Sequence, residues 1–224
     1  MSSKKKLIVF GIGELAEVAL YYFNTDSHFE VVAFTVDQSY ISTSTFNGLP
    51  IIPFENLNEA FPPSENYHLF IAIGYSMLNE SRKSKYLQAK SLGYKLASYI
   101  SSRAVILNAN KIGEHAFILE NNTIQPFVNI GKNVTIWSGN HIGHHSSISD
   151  HVFITSHTVI SGGVQIEEQC FLGVNCTIRD HIKIGQKSII GAGSIILKDV
   201  EPFGIYSVKS TERSLVPSSK IKKI

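Results

Sequence analysis

Residues 106–201 divide without insertion into sixes: ILNANK, IGEHAF, ILENNT, IQPFVN, IGKNVT, IWSGNH, IGHHSS, ISDHVF, ITSHTV, ISGGVQ, IEEQCF, LGVNCT, IRDHIK, IGQKSI, IGAGSI and ILKDVE. All sixteen hexads open on Ile except the one that opens on Leu172, and six carry glycine second: Gly113, Gly131, Gly143, Gly173, Gly185 and Gly191. A helix face recurs every ~3.6 residues and a strand face every ~2, so a beat of six reads as a short strand plus a turn. Three such units make a triangular coil of about 18 residues, stacked roughly 4.8 Å on the last by parallel hydrogen bonds. The opening Ile points inward. The fifth place also points inward and holds mostly small or β-branched residues: Ala116, Val128, Val134, Ser146, Val152, Val164, Cys170, Cys176 and Val200. Both cysteines therefore have a packing role.

Upstream, residues 5–100 alternate strand and helix patterns (KLIVF, ELAEVALYYFN, EVVAFTVD, LFIAIGY, SRKSKYLQAKSLG), which predicts a parallel sheet flanked by helices, an α/β Rossmann-like domain. Between the first strand and helix stands Gly11-Ile-Gly13-Glu-Leu-Ala16, a turn of the kind that brings backbone to a phosphate at a helix N-terminus. Asp37 ends the second strand, where an acidic group meets a ribose hydroxyl in such folds. The plainer reading is that Gly11 and Gly13 allow a tight turn and Asp37 caps a loop; Glu14, beside the proposed phosphate, favours it. A segment this short has too few strands for a full dinucleotide fold, so a mononucleotide or sugar nucleotide is expected rather than NAD. Gly74-Tyr75 follows LFIAI and falls at the same sheet edge, where Tyr75 either stacks on a base or covers the sheet.

Composition narrows the classes further. The chain is 43% apolar and 17% charged with a formal net charge of +2, an ordinary globular balance. Basic residues cluster only at Lys4–Lys6 and at 220–223, so no nucleic acid is expected as a partner. No apolar run approaches the roughly 18 residues a membrane span needs, and the apolar run after the first lysines is too short for a signal peptide, so a cytoplasmic protein is expected. Two cysteines do not make a disulfide framework.

The glycine turn and the unbroken hexads together resemble the hexapeptide-repeat sugar acyltransferases of the PglD and NeuD type. The resemblance implies a sugar-nucleotide domain over 1–100, a left-handed parallel β-helix over 101–205 and a tail over 206–224, assembled as a homotrimer. It implies transfer of acetyl from acetyl-CoA to the amino group of a nucleotide-linked amino deoxysugar for surface polysaccharide such as O-antigen, or, in the NeuD branch, to a sugar hydroxyl. The likeness is carried by Gly143-His-His-Ser, Ile160-Ser-Gly-Gly, Cys170-Phe-Leu-Gly-Val-Asn and Ile190-Gly-Ala-Gly-Ser. On it, His144 is the general base, a role suited to an imidazole, which is largely neutral at cell pH. The family often places a carboxylate next; here stands His145, so His145 or Asp150 must fix the tautomer, or His145 is itself the base. Gly162, one coil further on, resembles the amide donor to the thioester oxygen. A family histidine near the acyl group falls on Phe153, which leaves that role vacant or reassigned to His151 or His157. Gly173, Val174, Gly191, Ala192 and Lys198 match the coenzyme A path, although the glycines also suit turns. No metal is expected.

Two other classes stay open. A zinc hydratase of the γ-carbonic-anhydrase kind uses β-helix histidines, and the hexads hold His141, His144, His145, His151, His157 and His181. A nucleotide-sensing scaffold without catalysis is the other.

Overall fold

The computed structural model describes residues 4–107 and 111–221. Residues 108–110 of the first hexad, and 222 and 223 of the C-terminal basic run, lie outside the described residues.

The front domain is built from β1 (Lys5–Phe10), α1 (Glu14–Thr25), β2 (Phe29–Val36), β3 (Thr45–Phe46), β4 (Leu49–Pro53), α2 (Leu57–Ala60), β5 (Tyr67–Ile71), α3 (Glu80–Ser91) and β6 (Lys95–Leu96). Sheet order is β3-β4-β2-β1-β5-β6, parallel except for the β3–β4 hairpin. Alternate residues of β1 feed two cores. Leu7 and Val9 pack with Ala16, Ala19 and Phe23 of α1, while Ile8 and Phe10 pack with Tyr86 and Ala89 of α3 and Leu57 of α2. Covering both faces is what a parallel sheet requires.

The rest is a column of two-residue strands stacked in three parallel sheets. Each strand pairs with its counterpart three hexads on, as in Thr123↔His141↔Val159↔Thr177↔Ile195. The opening Ile residues and the fifth-place side chains form one continuous core. From Ile112 to Ile195 the fourth residue of each hexad turns the corner with positive φ. The first corner stacks His115, Asn133, His151, Gln169 and Lys187; the second Asn121, Gly139, His157, Asn175 and Gly193; the third Phe127, His145, Gly163 and His181. Asn, His and Gly tolerate this left-handed conformation best. Four of the six histidines that suggested zinc (His145, His151, His157 and His181) therefore have a backbone reason to be there.

Several features differ from the hexad reading. Tyr99–Ile100 already pairs with Phe117–Ile118, so the first rung precedes residue 101. Val200 is buried but pairs with Ile184 instead of the fifth-place Ile182, and so takes an opening place, not a fifth one; the last coil is shorter than the others. Inside the second corner the fifth places hold Asn122, Asn140 and Thr158, a polar ladder in which Asn122 Oδ1 accepts from the Asn140 amide at 3.0 Å and Asn140 Oδ1 from the Thr158 amide at 2.7 Å.

The three faces of the column differ. Between the first and second corners it is aromatic (Tyr99, Phe117, Phe153) and buried under the front domain. Between the third and first it is polar: Asn129, Ser147, Gln165 and Lys183. Between the second and third, Val105, Val159, Ile195, Leu107 and Leu197 are exposed.

Arg82 of α3 bolts the two parts together. It is fully buried, and its guanidinium donates to Asn133 O at 2.6 Å, Thr135 Oγ1 at 3.1 Å, Asn79 Oδ1 at 3.0 Å and His151 O at 2.9 Å, with no carboxylate partner among the described residues. Burial pushes its pKa down to about 9, which leaves it charged at neutral pH. Beside it the Ile71 amide donates to His115 Nε2 at 2.8 Å, which leaves the ring hydrogen on Nδ1, 2.8 Å from Asn133 Oδ1. Asn133 Nδ2 then donates to His151 Nδ1 at 2.7 Å. Burial, above all, holds His115 down at about 3 and His151 at about 4.

Because both folded pKa values lie below the ordinary 6.5, the stability they contribute is complete above that pH and is lost as pH falls from 6.5 toward 3 to 4. Chemical denaturation at about pH 7.5 and pH 5 should show a loss of about 2 kcal/mol through His115 alone. In His115→Gln that portion of the pH dependence disappears.

Candidate active site

His144 and His145 sit at the third corner, His144 in third place and His145 at the left-handed turn. The corner is fixed by backbone and side chain together: the His144 amide donates to Gln125 Oε1 at 2.9 Å, and the Gly163 amide to His144 O at 2.8 Å. One coil on lies Gly162. A Cβ there would stand 2.7 Å from His144 Cε1 and 3.0 Å from Nε2, so the imidazole lies directly over the Gly162 backbone. A few third-place amides are capped by stacked side chains, Lys132 by Asp150, His144 by Gln125 and Gln186 by Glu167, whereas others such as Ser156, Glu168 and Val174 are not. Among the described residues the Gly162 amide has no such cap, and it is free to donate to an oxyanion.

His144 Nδ1 lies 3.0 Å from His145 Nδ1. If His144 Nδ1 carries the hydrogen, His145 accepts it and the Nε2 lone pair of His144 is open. Of the two residues expected to orient His144, His145 is the one in reach. Asp150 does not serve: it is at the first corner, and its Oδ1 caps the Lys132 amide at 2.7 Å. His151 likewise lies at the first corner and not the third, buried in the Asn133 chain under α3. Phe153 is buried beneath Tyr75.

The second corner gathers His157, Gly173, Val174, Gly191 and Ala192 at successive levels. His157 is exposed, with its ring over Gly139. At Gly173 stacking by itself calls for glycine, since a Cβ would meet Ala192 N at 2.5 Å, whereas at Gly191 a Cβ would be tight against Tyr206 O at 3.1 Å. Lys198 is not in this group; it follows Ile196 at the third corner of the shortened last coil, exposed. Both cysteines are buried, and burial raises both thiols, Cys170 to about 11, so neither is a ready nucleophile. Among the described residues no group of three or more His, Cys, Asp or Glu is placed to hold a metal ion.

In the front domain a cavity of about 450 Å³ opens at the carboxyl edge of the sheet, lined by Phe10, Ile12, Asp37, Tyr40, Ser81 and Lys85 among others. Gly11 has φ +125° and a Cβ there would meet Ala72 O at 2.9 Å, so its glycine is a backbone requirement; Gly13 precedes α1 with open space around it. Gly74 also has open space, but Tyr75 neither lines this cavity nor covers the sheet. Its ring packs on Phe153 and Phe171 of the column at 5.2 and 4.7 Å. Nothing in an isolated sequence marks Tyr75 or Arg82 as contacts to coils many residues away.

The column is a left-handed parallel β-helix preceded by an α/β domain. Residues 163–198 match the model of the hexapeptide repeat of succinyl-transferase. Similar solved structures include perosamine N-acetyltransferase from Caulobacter crescentus in complex with CoA and GDP-perosamine, at TM-score 0.78 and 22% identity over 89% of this chain and 92% of that one. Others are the acetyltransferase domain of PglB from Neisseria gonorrhoeae in complex with acetyl coenzyme A, at 0.75, 21%, 88% and 93%, and WeeI from Acinetobacter baumannii, at 0.75, 22%, 89% and 94%. No curated protein sequence matches the chain.

Gly143 separates packing from chemistry at this corner, since a Cβ on it would lie 2.5 Å from the Gly162 nitrogen. Gly143→Ala should cost about 1 to 3 kcal/mol in thermal denaturation, whereas His144→Asn, at an exposed ring, should stay within about 0.5 kcal/mol.

Proposed function

We propose that this protein is an acyl-CoA-dependent acyltransferase that places an acetyl group on the amino nitrogen of a nucleotide-linked amino deoxysugar. The observation that carries this reading is the His144 imidazole stacked over Gly162 with an uncapped amide, at the level of the coils to which the front domain is clamped. The related fold that binds CoA and GDP-perosamine supports it.

The third corner supplies the base and the second supplies the coenzyme A surface, and one whole face separates them within a copy. That face carries exposed aliphatic side chains, Val105, Val159 and Ile195, interleaved with Thr123, His141 and Thr177. A homotrimer buries it and sets the third corner of one copy against the second corner of the next. In the resulting cleft the sugar nitrogen attacks the thioester carbonyl carbon while the Gly162 amide donates to the developing oxyanion. His144 Nε2 takes the nitrogen's proton, with His145 accepting from Nδ1. The carbon–sulfur bond then breaks, the thiolate leaves as coenzyme A once protonated, and the amide remains. No acyl-enzyme is involved. Acetyl-CoA and nucleotide sugars are cytoplasmic metabolites, so the enzyme acts there, upstream of surface-glycan assembly.

His144→Ala should lower turnover about 10²-fold or more in a free-thiol assay with acetyl-CoA and a nucleotide-linked amino sugar, with the assembly intact by light scattering. Near-normal turnover moves the base to His145. Val159→Lys, at the centre of the bare face, should give monomers that have lost both activity and coenzyme A binding; an active monomer would overturn the shared cleft.

A further inference from the structure

The cavity at the sheet edge holds a charge pair that the transfer chemistry does not use. Lys85 Nζ lies 2.6 Å from Asp37 Oδ1 and only 4.8 and 4.4 Å from the ring centroids of Phe10 and Phe54. The lysine side chain is 11% exposed and the aspartate 34%. An ammonium free in a pocket draws phosphate; this one is enclosed by a carboxylate and two aromatic faces. What the pair offers a ligand is the other carboxylate oxygen, Oδ2, which has no hydrogen-bond partner among the described residues although Asp37 lines the cavity. A carboxylate oxygen only accepts, so the group that meets it must be a donor, and because Lys85 already balances the charge a neutral hydroxyl suffices.

Position says which donor. Asp37 directly follows β2, the strand beside β1, and β1 leads through Gly11 and Gly13 into the N-terminus of α1. In an open α/β sheet the phosphates of a nucleotide sit at that helix start, and the ribose lies over the end of the neighbouring strand with its 2′-hydroxyl toward the acid. Resting on the function proposed above, we infer that Lys85 is a positioning residue that holds Asp37 to read the ribose 2′-hydroxyl. The substrate is accordingly a ribonucleoside diphosphate sugar, discriminated from its 2′-deoxyribonucleotide counterpart. Lys85 also neutralises Asp37, which would otherwise repel the nearby diphosphate.

Calorimetric titration of the full chain with UDP, GDP, dUDP, dGDP and dTDP tests this. Whichever of UDP or GDP binds, its 2′-deoxy form should bind about 10- to 100-fold more weakly, the effect of one lost hydrogen bond to a charged acceptor. Lys85→Met keeps an unbranched chain against Phe10 and Phe54, and Asp37→Asn keeps the shape of the acid. In both the ribo-to-deoxy ratio should fall to about 3-fold or less. A merely structural lysine would weaken both forms alike and leave the ratio where it was, which overturns the inference. Equal binding of ribo and deoxy forms by the unaltered protein also overturns it while leaving the transferase reading standing. Binding of coenzyme A but of none of the five nucleotides removes the front domain's part in that reading, and this inference with it.

Discussion

From Ile112 to Ile195 every corner of the column is turned by a residue with positive φ, and this one backbone constraint sets the geometry of all that follows. Because the turn recurs at the fourth place of each hexad, three hexads close each full coil and residues in matching places fall above one another. The stacking removes freedom at second-place glycines, where a Cβ would strike the backbone one coil further on. It also creates the candidate site. His144 and Gly162 are brought together by no special loop; they are third-place residues of successive coils, and the imidazole lies over a backbone that carries no side chain.

A second constraint joins this column to the front domain. A buried arginine held only by neutral acceptors has exchanged its hydration for several fixed hydrogen bonds, and removing any of them leaves a further buried donor unpaired beside Nε. Arg82 accordingly ties α3 to two coils at once, while Ser81 and Lys85 on the same helix line the cavity at the sheet edge. One helix thus fixes the distance between the sheet edge and the coils that carry His144 and Gly162. The His115–Asn133–His151 chain extends that fixing along the first corner, with both ring nitrogens of His115 and Nδ1 of His151 held in hydrogen bonds.

Much of the fold was legible because the hexads report on local geometry. The opening residues from Ile118 to Ile196 and the fifth-place residues 116, 128, 134, 146, 152, 164, 170 and 176 are buried as read, while Ile106 and Ile112 at the start are only partly so. The pattern failed where a different side chain meets the same spatial need. Tyr99 and Ile100 form a rung without extending the hexads, and the last coil shortens before Val200. The ladder of Asn122 and Asn140 is not legible in the hexads, because polar residues inside a column share the pattern of surface residues and only their amide partners distinguish them. In the front domain the strands of the apolar runs were found, whereas the short β3–β4 hairpin carried too little periodicity to register.

From the sequence by itself came the coil, its inward residues and the stacking of His144 on Gly162, since each follows from a repeat that is local and self-consistent. The tertiary structure alone decided that Tyr75 leaves the sheet edge for the column, that Asp150 caps an amide at another corner, and that Lys198 departs from the second-corner group. It alone also revealed Arg82, Lys85 and the bare face between the second and third corners. These depend on contacts between segments tens of residues apart, whose meeting is set by how two folded bodies pack, and no periodicity in either segment encodes that packing.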